Sequence, residues 1–131
     1  MREFFQEVES KFDFDETVET LTKTIQEAGW SVLATHNLQQ SLLNKGYDVA
    51  PVKVIELCNP HYSSKILSID NERIFSNLMP CRISVYEKAD NKVLVSLMDA
   101  GAMAKQIGGV VEEVMSAVYE ESLRFIDVIR R

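Results

Sequence analysis

Apolar residues recur along this chain at two spacings, about 3.6 residues apart in some segments and 2 in others, and the switches between them mark the elements. Phe14, Val18, Leu21, Ile25 and Ala28 follow the helical spacing. Asp13 with Glu16 forms a capping box in front of them and Gly29 follows them, so the pattern predicts an amphipathic helix. Residues 4 to 10 fit either a strand or a helix, with Phe4, Phe5 and Val8 favouring the strand. Trp30 to Thr35 reads as a strand, and the polar segment His36 to Tyr47 as a loop or short helix. Val52 to Cys58 is β-branched and begins just after Pro51, which predicts a second clear strand.

Asn59-Pro60 is the sharpest local signal. Asparagine is a preferred N-cap, and proline suits the first helical position, where its missing N–H costs nothing. A short helix is expected from Pro60 to about Ser68, with Tyr62, Ile66 and Ile69 on one face. Beyond the polar stretch Asp70-Asn71-Glu72-Arg73, Cys81, Ile83 and Val85 alternate onto one face. Asp90-Asn91 then turns the chain into Val93 to Leu97, forming a hairpin. A helix over Ala100 to Ile107, a break at Gly108-Gly109 and a longer helix with Val111, Val114, Val118, Phe125 and Ile129 in its stripe complete the chain. The order β-α-β-β-(α)-β-β-α predicts an α+β fold, an antiparallel sheet with helices on one face.

At 131 residues the chain has the length of one domain, residues 1 to 131, able to bury one core. A net charge of −6 opposes binding modes that neutralise many phosphates, or that rely on an anionic membrane surface, so neither nucleic acid nor membrane is expected as a partner. Met1 to Glu7 carry acids where a signal peptide needs an apolar run, which makes the cytoplasm the default location. Two cysteines are too few for a disulfide scaffold, and in that compartment they are expected as free thiols unless they do redox or metal chemistry.

Candidate chemistry gathers at one place. Cys58 would end a strand immediately before the Asn59-Pro60 helix, where backbone N–H groups favour a thiolate. Cys81 opens the next strand, and two antiparallel neighbours would bring the sulfurs together. Three readings compete: two small buried residues, a redox or reactive thiol pair, and a metal site in which His61, three residues after Cys58, and His36 join the cysteines. The metal signal is weak because Cys81 has no close-spaced partner, and no cofactor is specified. Catalytic motifs are absent, there being no G-x-S-x-G, phosphate-binding glycine loop or H-E-x-x-H, so no enzymatic reaction is assigned.

Three stretches together resemble the DUF302 family of uncharacterised bacterial and archaeal proteins: Phe14-Asp15-Glu16-Thr17-Val18 with Glu27-Ala28-Gly29-Trp30, then Glu56-Leu57-Cys58-Asn59-Pro60, and Leu78-Met79-Pro80-Cys81-Arg82-Ile83-Ser84-Val85-Tyr86-Glu87. The resemblance covers nearly the whole chain and implies a fold like that of the TATA-box-binding protein, a strand at residues 4 to 10 and a homodimer. It implies no DNA binding, because fold does not carry function, and it brings no activity. Two functions follow as expectations. One is a small-molecule-binding or thiol-dependent module built from Cys58, Asn59, His61 and Cys81. The other is a non-catalytic homodimeric interaction domain in which those residues only shape a strand-to-helix turn.

Overall fold

A computed structural model describes the whole chain, Met1–Arg131. Five strands, β1 (Phe5–Glu9), β2 (Ser31–Asn37), β3 (Val52–Cys58), β4 (Cys81–Glu87) and β5 (Val93–Met98), form one sheet in the order β1-β5-β4-β3-β2, with every neighbouring pair antiparallel. The helices are α1 (Phe14–Glu27), α2 (Leu38–Leu43), α3 (Pro60–Leu67), α4 (Ala100–Ala104) and α5 (Gly109–Asp127). None is long and apolar enough to cross a membrane.

The predicted caps and turns explain why the elements begin where they do. Asp13 accepts from the Glu16 N–H at 2.8 Å at the head of α1, which satisfies one of the free donors of a helix N-terminus. In the β4–β5 hairpin Asn91 takes a φ of 67°, a left-handed conformation that asparagine tolerates better than most residues.

Strand alternation then sorts the side chains. Ile55 and Leu57 of β3, Ile83 and Val85 of β4, and Val93, Val95 and Leu97 of β5 are all buried on one face. They pack in a single core with Leu21 and Ile25 of α1, Ile66 of α3, and the stripe of α5 from Val111 to Ile126. Full burial of such a side chain stabilises the fold by about 1.5–3 kcal/mol each relative to leaving it in water, so this face commits the helices to one side. No residue of the opposite face is buried: Phe5, Glu7, Val54, Glu56, Arg82, Ser84, Tyr86, Leu94, Ser96 and Met98 all keep solvent contact. The expected α+β architecture is therefore the one observed.

Local differences have local causes. The strand predicted over Trp30 to Thr35 starts one residue later and runs on through His36 and Asn37, so His36 is a strand residue; the Asn37 side chain then caps α2. A register shift between Val32 and Ala34 is a β-bulge, which turns Leu33 out to solvent. Ile69 falls beyond the end of α3 and is exposed, so it does not share a buried face with Tyr62 and Ile66. The helix expected from Ala100 to Ile107 is regular only as far as Ala104, and Gly108 and Gly109 both have positive φ, which separates it from α5. The polar stretch from Asp70 to Leu78 is a 3-10 helix. At the other margin, Arg130 bridges Ser10 and the Arg131 N–H donates to the Glu9 carbonyl at 2.9 Å, so the chain's final residues lie along β1.

Candidate functional site

The Asn59-Pro60 turn forms as its sequence demands. The Asn59 side chain accepts from the His61 N–H at 3.0 Å, and Pro60 opens α3. Cys58 Sγ lies 3.3 Å from Ser63 Oγ, one turn into that helix. β3 and β4 are the antiparallel neighbours that the hairpin-rich order suggests, yet the register sets Cys81 opposite Leu57, while Cys58 faces Ser31 on its other side. The expected meeting of the two sulfurs is thereby corrected. They are not a pair, and both cysteines are free thiols, because the register is one residue away from the one that would set them across from each other.

What the two cysteines share is the wall of a small apolar cavity of about 20 Å³, with Trp30, Tyr62, Met79 and Met115 around it. A space of that size holds about one water molecule and no larger ligand. Glu121 of α5 ties its rim together, accepting from Trp30 Nε1 at 3.3 Å and from the Tyr62 hydroxyl. The bond to Glu121, followed by burial, raises the pKa of Tyr62. Burial, with a smaller push from Cys58, raises the Cys81 thiol from 9.0 to about 11, which keeps it protonated and weakly nucleophilic at neutral pH.

The histidines are elsewhere. His61 is exposed, with its ring centroid 5.6 Å from that of Tyr62, and does not line either cavity beside Cys81. His36 Nε2 sits 2.5 Å from Glu56 Oε1 on the open face, and Arg82 approaches the other Glu56 oxygen at 3.4 Å. The hydrogen bond from His36 is the main reason the Glu56 carboxyl is held below its ordinary pKa. No three His, Cys, Asp or Glu side chains gather in a way that could hold a metal ion; the set Cys58, His61 and Cys81 is not such a group.

A second cavity, of about 470 Å³, wraps the end of the sheet where β4 begins and β5 ends. Cys81 belongs to its wall, between the open face and the helix layer. On the open-face side stand Arg82, Ser84 and Ser96, with Ser84 directly opposite Ser96 across the β4–β5 ladder. On the helix side α5 contributes Tyr119 and Ser122, and between the two ends the wall is apolar, with Phe5, Leu78, Leu97, Met98 and Val118. Burial, and then the charge of Asp99, raises the pKa of Tyr119, so its hydroxyl keeps its proton. Ser122 is only 4% exposed and has no hydrogen-bond partner in the protein. Since no enclosed side-chain oxygen or nitrogen is left without a partner, what little exposure its hydroxyl has is toward the cavity. One signal in the sequence marks it: Ser122 follows Val118 by four residues, a polar residue set into the apolar stripe of α5. Ser84 and Ser96 carry no such mark, because serine on the outer face of a strand is ordinary.

A five-stranded antiparallel sheet with its helices on one face and the Cys58-Asn59-Pro60 turn at one end defines an α+β domain, with both cavities that Cys81 lines lying where strands hand over to helices. By sequence the DUF302 family, described as a domain of unknown function, matches residues 6–129, and the chain belongs to it. The crystal structure of an uncharacterized conserved DUF302 protein from Bacillus stearothermophilus is similar, with a TM-score of 0.86 at 20% identity over 97% of this chain and 98% of that one. At that identity the likeness establishes the fold. Among curated proteins none matches the chain.

Proposed function

We propose that this domain binds a small molecule in the larger cavity, with Cys81 as part of the wall and Asn59 holding the turn that places its neighbours. The observation that carries the reading is a cavity of about 470 Å³, within the size of small-molecule sites, about 300–1,000 Å³. Its wall is largely apolar, and it includes one deeply buried hydroxyl, Ser122, that the protein itself leaves unused. Binding fits better than thiol chemistry, because the sulfurs do not meet and Cys81 holds its proton firmly. Cys58 and His61 then serve the fold of the α3 turn. Free cysteines suit the reducing cytoplasm, where we place the domain.

Methyl NMR tests the reading. Met98 lines the cavity and Met103 does not, so a mixture of small aromatic and aliphatic compounds at millimolar concentration is expected to shift the Met98 methyl and leave Met103 unmoved. A Met98 signal indifferent to every compound would remove the proposal.

One observation favours the second expectation, a homodimer, beside the first. The open sheet face carries Phe5, Val54, Leu94 and Met98 without a helix above them. Two such faces stacked about a two-fold axis parallel to the strands would bury these apolar side chains against one another. Light scattering at micromolar concentration is expected to give twice the chain mass, and Leu94→Arg is expected to return it to one.

A further inference from the structure

Resting on the ligand-binding reading of the larger cavity, we infer that its ligand is an amphipathic carboxylic acid: a carboxylate at Arg82, Ser84 and Ser96, an apolar body along Phe5, Leu97 and Met98, and a hydroxyl or carbonyl at Tyr119 and Ser122.

The two ends of the cavity have different chemistry. Arg82 is the only charged residue of its wall, with Glu56 across from Arg82 and Glu7 across from Ser96 standing outside it, so the one charge the wall itself offers a ligand is positive. Beside it, alternation along β4 puts Ser84 on the same face as Arg82, and the ladder puts Ser96 directly across from Ser84. A guanidinium with two neighbouring hydroxyls is a set of donors matched to a carboxylate. The guanidinium is also available. Its contact with Glu56 is long, at 3.4 Å, and Glu56 keeps a much closer partner in His36 at 2.5 Å, so an incoming carboxylate takes over Arg82 without stranding Glu56. Arg82 is well exposed, its side chain 59% open, so the charged end of the ligand lies at the mouth.

At the far end the wall itself carries no charge. Tyr119 and Ser122 there are both neutral hydroxyl groups, and the Cys81 thiol is protonated as well. None of them balances a second charge, but two hydroxyls with no protein partner are left to give and accept hydrogen bonds. A ligand group placed between them meets donors and acceptors that the protein does not itself use. The ligand therefore has one charged end and one neutral polar end, separated by an apolar body. Such a pattern excludes phosphate esters of high charge and fully apolar compounds alike.

The test uses the full chain and a set of probes: para-hydroxyphenyl acetate, propionate and butyrate, the three corresponding primary amides, and the three acids lacking the ring hydroxyl. Binding is followed by titration of the Met98 methyl signal. One acid of the series is expected to bind about tenfold more tightly than its own amide, the difference a charge-assisted hydrogen bond makes. Arg82→Gln is expected to erase that difference, and Ser122→Ala to weaken the hydroxylated acid while leaving its hydroxyl-free analogue unchanged. Equal binding of acids and amides in the unaltered protein would overturn the assignment of a carboxylic acid and leave the cavity as a site for neutral ligands. If no probe moves Met98, and neutral fragments fail as well, both this inference and the reading it rests on fall. Thermal melting of each variant shows whether it is folded, and a variant that fails to fold is replaced by Arg82→Met or Ser122→Cys, which likewise remove the charge or weaken the hydrogen-bonding group.

Discussion

Replacing Cys58 with serine leaves Cys81 as the sole thiol, and raising the pH on that protein then reports how strongly the cavity wall holds a proton. Burial pushes Cys81 from 9.0 to about 11. At pH 8 a thiol of ordinary pKa is about one-tenth ionised, while one of about 11 is ionised in roughly one molecule per thousand. The less acidic thiolate is the better nucleophile, which returns about tenfold, so alkylation by iodoacetamide should run about tenfold slower than on a free thiol. The more telling readout is the profile: the rate should keep climbing through pH 10 toward a midpoint near 11, with circular dichroism confirming the fold at each point. The same proton couples to stability. Below about pH 9 the thiol is protonated in both folded and unfolded chains and contributes no pH dependence. Between 9 and 11 only the unfolded chain ionises, so unfolding becomes easier by about 2–3 kcal/mol in total by the upper end of that window. Urea unfolding at stepped pH, compared with a Cys58→Ser/Cys81→Ala chain that lacks the group, isolates this loss. A rate plateau by pH 9.5, about where an ordinary thiol is mostly ionised, or parallel stability curves for the two chains, would refute the reasoning that Cys81 is poorly solvated.

Gly101→Ala should destabilise the fold, since a methyl there would lie 2.8 Å from Ser116 Oγ and 2.9 Å from Ser116 Cα; the overpacking cost of about 1–3 kcal/mol outweighs the helix gain of about 0.5–1. Ser116→Gly in the same chain should restore only part of it in urea unfolding, because the backbone clash persists. Asn59→Ala removes the α3 cap and should cost about 1 kcal/mol, whereas Asn59→Asp should cost much less, by the same assay. Glu121→Gln should bring the Tyr62 phenol down toward its ordinary pKa in an ultraviolet titration, since the bond to Glu121 is the chief cause of its rise, and should shift Trp30 fluorescence.

Much of this fold could be read from local patterns because its helices and strands declare themselves locally. Asp13 caps α1, Asn59-Pro60 starts α3 and Asp90-Asn91 turns the hairpin through bonds that span four residues or fewer. The cavity could not be read in the same way. Ser84 and Ser96 become neighbours only through the β4–β5 register, and Tyr119 and Ser122 join them only through the placement of α5 over the sheet end. The cysteine pair failed for a related reason: strand order correctly made β3 and β4 neighbours, but facing sulfurs required a register one residue different, and register is fixed by which residues the core accepts. Leu57 is fully buried, so it takes the position across from Cys81 and leaves Cys58 out of line.

The strand order also sets a timetable for synthesis. Phe5 pairs with Met98, so at translation rates of about 5–20 residues per second the first strand waits roughly 5–20 s for its partner. In that interval β2 and β3 can form a ladder, but β3 offers an unpaired edge until β4 follows it, and β1 has no partner at all. Such an edge invites pairing with other chains. The β4–β5 hairpin ends the exposure by filling the centre from late in the sequence, and Arg130 and Arg131, later still, settle along β1. The nascent chain thus builds its sheet from the β2 edge across to β1, and its demand for chaperone protection should be greatest just before β4 emerges.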